Sequence, residues 1–399
     1  MKILIPFRPA ARAVCALAIV AAFAACGDDN GTGPNAGSIT VSVTSSGVGV
    51  DSGGYVVTVD DGDGQDVAPN GDVSISADAG SHSVALSGVG SNCSVSGDNP
   101  RTVDVVAGED VEVTFDITCV ARALAFASNR SGSYNIYTIA QDGSGIHQLT
   151  SETDSMFATL PAWSPDGSKL AFSSTRERST MGLDIWVMNA DGSSPTRLTN
   201  AAGQNGRAAW SHDGTKIAFT STRDSGSPDV AEIWVMDADG GNQRALTSDG
   251  KFANSPSWSP DDSKIVFQSN RDGTDQLYVV NADGTGITRL TNGPWGDQEP
   301  AWSPDGSLIA FQSTRDATAP ADNADFEVYV MNADGSSPRR LTNNSAFDGR
   351  PSWSRGGGEL VFDSRRDGNE EVYVMNRDGS GQTNVTHSSA EDGFARFRP

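Results

Sequence analysis

Trp163-Ser164-Pro165-Asp166-Gly167-Ser168-Lys169-Leu170-Ala171-Phe172, followed after a variable stretch by Ile185-Trp186-Val187-Met188-Asn189-Ala190-Asp191-Gly192, is the phrase that decides the fold of most of this chain. It returns with its tryptophan at Trp210, Trp258, Trp302 and Trp353, at spacings of 47, 48, 44 and 51, and Phe397 takes the same place 44 residues later. A period of about 40–50 residues built from short strands and Gly turns marks a β-propeller. Each repeat offers four strands. They are Pro-Ala-Trp-Ser (Pro161 to Ser164), Ile-Ala-Phe (Ile217 to Phe219), Ile-Trp-Val-Met or its Tyr version (Val328 to Met331), and a short Arg-Leu-Thr element (Arg197 to Thr199). The second and third are apolar throughout, as expected when both faces are covered by neighbouring sheets. The first unit starts at its second strand, Ala123 to Ala127, and the last stops after Phe394-Ala395-Arg396-Phe397. The phase predicts six blades, with the C-terminal strand completing the first one so that no edge is left open.

The Trp163 to Phe172 phrase with its Asn-Ala-Asp-Gly sequel resembles the repeat of the TolB-like six-bladed propellers over residues 122–399. The resemblance implies fold rather than activity, because related blades serve periplasmic scaffolds, sugar lyases and the gating domains of serine peptidases. The chain departs from TolB itself ahead of the propeller. There a Cys-containing β region stands in place of an α/β domain, and a lipid anchor replaces free diffusion.

Ahead of the repeats, residues 38–120 alternate with period two, as in Ile39-Thr40-Val41-Ser42-Val43 and Val111-Glu112-Val113-Thr114-Phe115. About seven antiparallel strands, each with one buried face, suggest a small immunoglobulin-like β-sandwich. The fold class is therefore all-β: a six-bladed β-propeller at 121–399 behind a sandwich at 38–120. Cys93 and Cys119 are expected to form a disulfide, joining the sixth strand region to the last strand or clamping one sheet to the other. The Asp60, Asp61, Asp63 and Asp66 cluster reads as turn chemistry rather than a Ca²⁺ loop, and His82 as a half-buried sheet residue.

Residues 1–25 read as an export signal, with Lys2, Arg8 and Arg12 before an apolar run from Ala13 to Phe23. That run is short for a transmembrane helix. Ala24-Ala25-Cys26 and the polar tether at 26–37 resemble a bacterial lipobox, with Cys26 acylated and the protein held at the cell envelope, on its periplasmic or outer-membrane face. The 51 Asp plus Glu against 28 Lys plus Arg give a formal net charge of −23, which repels nucleic acid and anionic lipid. The membrane is therefore met only through the anchor.

No Gly-x-Ser-x-Gly motif accompanies the four histidines, His82, His147, His212 and His387, and these do not converge. The expectation is a non-catalytic monomer without cofactor or metal that binds an envelope protein or an extended peptide. The alternative is a glycan or peptidoglycan-fragment binder, or a degenerate polysaccharide lyase. Binding is expected on the face with variable loops (Arg176 to Ile185, Arg223 to Ile233, Arg315 to Val328). Residues ahead of each inner strand should ring the channel mouth: Leu160, Arg207, Ser255, Glu299, Arg350 and Phe394, with Asp297, Asp348 and Asp392 two positions earlier. Trp295 fits no repeat position and is expected to be an exposed anchor. The candidate binding set is Arg207, Trp295, Asp297, Glu299, Asp348, Arg350 and Phe394. The recurring Ser-x-Arg arginines (Arg130, Arg176, Arg223, Arg271, Arg315, Arg366) are expected to make one structural carboxylate contact each.

Overall fold

A computed structural model describes residues 35–47, 54–90, 92–119, 122–153, 155–177, 182–224, 230–316 and 326–399. The export signal and Cys26 lie outside the described residues. So do the tips of the three long loops, at 178–181, 225–229 and 317–325. The described chain is all-β, in eight four-stranded sheets, and no helix in it is long and apolar enough to cross a membrane.

Two of these sheets come from residues 36–119. The first has the order Asp72–Asp78, Ala36–Gly47, Asp110–Cys119, Cys93–Val95, and the second Gln65–Val67, Tyr55–Val59, Gly80–Ser87, Arg101–Val105. Their inward residues, among them Ile39, Val41, Val57, Val84 and Phe115, make one shared core. One pairing differs from the antiparallel expectation: Ala36–Gly47 runs parallel to Asp110–Cys119. Alternation fixes which residues face inward and is silent on strand direction. His82 is half-buried, with Nδ1 meeting Asp60 Oδ2 at 2.5 Å, and the Ser83 N–H and His82 together hold the Asp60 carboxyl below its ordinary range.

Cys93 and Cys119 form a disulfide between register partners on adjacent strands of one sheet. In the chain-entropy picture, closing this 26-residue separation stabilises the fold by about 3–4 kcal/mol. Alkylation of the denatured, unreduced protein should leave both cysteines unmodified in peptide mapping. Modification of either one would remove the bond.

The other six sheets carry the repeat. The second to sixth each take four consecutive strands, such as Ala158–Trp163, Lys169–Ser174, Asp184–Asn189 and Thr196–Arg197. The first takes Ala123–Ser128, Asn135–Ala140 and His147–Gln148, and its inner strand is the C-terminal Asp392–Phe397, antiparallel to Ala123–Ser128. Apolar residues pack between successive sheets. Trp163, Leu170 and Phe172 of the second sheet meet Ala125 and Ile136 of the first. Val361, Val372 and Val374 of the sixth meet Leu124, Phe126 and Phe397 of the first. The phenylalanine of every second strand (Phe126, Phe172, Phe219, Phe267, Phe311, Phe362) is fully buried.

Two repeated devices hold these sheets in place. Three of the five indoles that end inner strands reach backwards: Trp210, Trp258 and Trp353 donate Nε1–H to the carbonyls of Ala162, Ala209 and Ala301 in the preceding sheet, each at 3.1 Å, whereas Trp302 donates to Gly306 of its own turn. Phe397 has no such donor. The Ser-x-Arg arginines form the second device. Each guanidinium lies 4.5–5.5 Å from the phenylalanine ring and from the tyrosine or tryptophan ring of its own sheet. Five of the six also meet a carboxylate: Arg130 with Asp392, Arg176 with Glu152, Arg271 with Asp249, Arg315 with Asp297 and Arg366 with Asp348. Arg223 instead donates to the amide oxygens of Asn205 and Gln243.

Candidate functional site

The six inner strands share an interruption. Pairing with the second strand runs to Thr159, Gly206, Asn254, Gln298, Gly349 and Gly393, and resumes only at Ala162, Ala209, Ser257, Ala301, Ser352 and Arg396. The first residue of each gap has a left-handed backbone: Leu160 (φ 55°), Arg207 (55°), Ser255 (54°), Glu299 (52°), Arg350 (53°) and Phe394 (57°). None of them is glycine, so each position carries strain, roughly 1–2 kcal/mol on the left-handed helical scale. A β-bulge of this kind re-aims a side chain out of the regular alternation.

The preceding sheet supports the bulge. The amides of Arg207, Glu299, Arg350 and Phe394 donate to Ser173 Oγ, Gln268 Oε1, Gln312 Oε1 and Asp363 Oδ2 on the second strand of the sheet before. The last of these joins the first sheet to the sixth.

Because the bulges recur at one level, their side chains converge. Arg207 of the third sheet donates Nη1–H to Glu299 Oε1 of the fifth at 2.5 Å, and to Ser255 Oγ of the fourth, between them, at 3.0 Å. Burial opposes the charge on Glu299, but the guanidiniums of Arg207, Arg350 and Arg396 prevail and hold its carboxyl below the usual range. Arg350 turns the other way, to Asp363 at 3.0 Å and Glu370 at 2.6 Å, with its guanidinium 4.2 Å from the Phe394 ring. Asp363 is fully buried and its Oδ1 has no partner. Burial, with Glu370 beside it, pushes that carboxyl above its ordinary range despite Arg350.

A cavity of about 360 Å³ opens on this cluster. Leu160, Arg207, Ser255 and Glu299 lie at one end of it, and Pro165, His212, Pro304, Arg355 and Pro399 at the other. Those last residues belong to the near-identical turns after the inner strands, or to the C-terminus. The cavity lining therefore reaches the uniform-turn end and includes no variable-loop residue among those described. Its size suits a small molecule or the end of an extended segment.

The seven candidate binding residues separate into three groups. Arg207 and Glu299 line the cavity as a bonded pair. Arg350 and Phe394 occupy equivalent bulges, stacked on each other and outside the cavity lining. Asp297 and Asp348 are fully buried inside their own sheets, bound by Arg315 and Arg366, and present nothing to a ligand. Trp295 differs from the expectation of an exposed anchor. It is half-buried, 5.7 Å from the Arg315 guanidinium, with its indole N–H enclosed and without a partner among the described residues.

Arg396 was not among those candidates, although it lines the cavity. The repeat does signal it. At the position before each terminal aromatic the chain has Ala162, Ala209, Ser257, Ala301 and Ser352, all small, and then Arg396.

Comparison with known proteins places this architecture. Residues 153–255, 231–320 and 317–399 match the family described as TolB beta propeller domain. The chain is 40% identical over 75 residues to the Tol-Pal system protein TolB of Geobacter sulfurreducens, a stretch that is 19% of this chain and 16% of that relative's length. Among solved structures, TolB from Acinetobacter baumannii superposes with a TM-score of 0.60 at 23% identity, over 70% of this chain and 67% of that one. A putative TolB from Agrobacterium tumefaciens gives 0.53 at 21% identity, over 70% and 99%. At such identities the solved structures speak to the fold alone. With three matched segments covering most of the repeat region, the chain belongs to the TolB beta propeller domain family.

Proposed function

We propose that the six repeat sheets (121–399) close into one six-bladed propeller behind an immunoglobulin-like sandwich (38–120). In this reading the protein is a lipoprotein tethered to the cell envelope through Cys26 and residues 26–37 once the signal 1–25 is removed. The propeller binds a segment of another protein and catalyses nothing. The observation that carries this reading is the cavity itself. It is concave, lies where side chains of alternate sheets meet, and has the bonded Arg207–Glu299 pair in its lining. The partner's segment is placed there, at the uniform-turn end. Variable loops on the opposite face are free to contact the rest of the partner.

Site-specific crosslinking in the native envelope tests this. The partner captured by the parent protein should be lost with Ala209→Trp, which fills the cavity from one inner strand, and retained with Asp378→Ala in an exposed turn. Equal capture by Ala209→Trp would place binding elsewhere. Cys26→Ser should move the protein out of the membrane fraction in the same cells.

A further inference from the structure

Arg396 stands where every sister strand has alanine or serine, at the register position that pairs with Ala125. Its side chain lines the cavity beside the Arg207–Glu299 pair. Glu299 is already engaged by Arg207. Among the described residues the Arg396 guanidinium makes one hydrogen bond, from Nη1 to the carbonyl of its own neighbour Ala395 at 2.8 Å, and no ion pair. A guanidinium carries five N–H donors in a planar fork. Arg396 is half-buried at the cavity wall, so most of these donors face the cavity and remain open to an acceptor that enters it. Burial pushes the Arg396 pKa down, against the pull of the Glu299 and Asp363 carboxylates.

The cavity's charge is also unlike that of the chain. Arg207 and Glu299 cancel, Arg396 adds a cation, and Arg355 adds another at the rim, in a protein whose net charge is −23. A local positive potential within an acidic surface draws an anion inward. Two neighbouring N–H groups of a guanidinium match the two oxygens of a carboxylate. A dianion such as phosphate would fit the fork as well, but its second charge would meet Glu299 in the same cavity.

We propose that Arg396 anchors a carboxylate-binding subsite in the cavity, one that takes a carboxylate of a peptide segment, either a chain terminus or an Asp or Glu side chain. This rests on the protein-binding reading above and adds the chemistry by which the segment is held. Arg396 would act as a binding residue at the one of six equivalent positions that is not alanine or serine.

The test uses the full chain labelled with ¹⁵N-arginine. The Arg396 Nε–H signal is assigned by its disappearance in Arg396→Ser, which copies Ser257 and Ser352 of the sister strands. Four probes are titrated: N-acetylglycine for a chain terminus, N-acetyl-aspartate N-methylamide for a side chain, glucuronate and inorganic phosphate. N-acetylglycinamide is the neutral control. At least one of the two peptide carboxylates should shift the Arg396 signal saturably, and the tighter of the two identifies the source. Arg396→Lys, which keeps the charge and loses the fork, should weaken that binding about tenfold, a loss of about 1.4 kcal/mol.

Arg396→Ser should also keep or raise the thermal midpoint, because it removes a half-buried cation that makes no ion pair among the described residues. A purely structural arginine would lower it. No saturable shift with either peptide carboxylate overturns the subsite, and so does a shift by glucuronate alone or tighter binding of phosphate. Envelope crosslinking distinguishes the two proposals. Unchanged capture of the partner by Arg396→Ser would overturn this subsite and leave the protein-binding reading standing.

Discussion

Removal of residues 393–399 is expected to abolish the cooperative unfolding transition of the repeat sheets, or to lower its midpoint by far more than a frayed tail would. The strand Asp392–Phe397 is the inner strand of the first sheet, and its partner Ala123–Ser128 lies at the opposite end of the repeat sequence. Phe397 is 5% exposed and Ala395 1%, both packed with Val361, Val372 and Val374 of the sixth sheet. Loss of one buried phenylalanine costs about 3–5 kcal/mol. The deletion also removes the strand's hydrogen bonds, leaves Asp363 Oδ2 without the Phe394 amide, and bares the inner edge of the first sheet. Set against a typical folding free energy of about 5–15 kcal/mol, these losses together approach the whole. Thermal unfolding of the full chain with and without the seven residues measures the effect, and Phe397→Leu should fall between the two. An unchanged midpoint would mean that the C-terminal strand contributes nothing to the stability of the repeat sheets.

What the sequence disclosed, it disclosed by repetition. A tryptophan, an Asp-Gly turn and a Ser-x-Arg recurring at one phase fix the strands, the apolar faces and the pairing of the last strand with the first. The turn glycines were equally legible. Gly192 and Gly335 adopt positive φ, and a Cβ at either would stand within 3 Å of a carbonyl oxygen in the previous sheet.

The site was harder to read, and the bulges are the reason. Alternation places Asp297 and Glu299 on one face of a strand, and likewise Asp348 and Arg350. A left-handed residue at Glu299 and at Arg350 breaks that rule, so the aspartates turn back onto Arg315 and Arg366 while the next pair turns inward. No glycine marks the six left-handed positions, so the usual signal for positive φ is missing. Arg396 escaped for a different reason. It is visible only when the sister strands are compared position by position, because its neighbours in sequence are ordinary. Trp295 was misread because a residue outside the repeat looks exposed until the arginine beneath it is known.

Asp348→Ala is expected to destabilise the protein by about 3 kcal/mol, at the lower end of the range for breaking a buried ion pair. Asp348 has no exposed surface. It accepts from Arg366 Nη2 at 2.6 Å, Ser364 Oγ at 2.5 Å and Asn344 Nδ2 at 2.5 Å. Its removal strands a guanidinium packed against the Phe362 and Tyr373 rings. Arg366 keeps the Gln382 amide oxygen at 2.6 Å, which tempers the loss. Arg366→Ala should cost a similar amount, through lost ring contacts as well as a carboxylate left without its cation. The double variant should cost clearly less than the sum, because the second change removes the charge that the first left stranded. Asp378→Ala, in an exposed turn, should fall within about 0.5 kcal/mol of the parent. Urea unfolding of the four proteins gives the cycle directly. If the Asp348 and Arg366 effects simply add, the pair is not coupled. Arg366 would then be held by its ring contacts and by Ser364 and Gln382, without help from the Asp348 carboxylate.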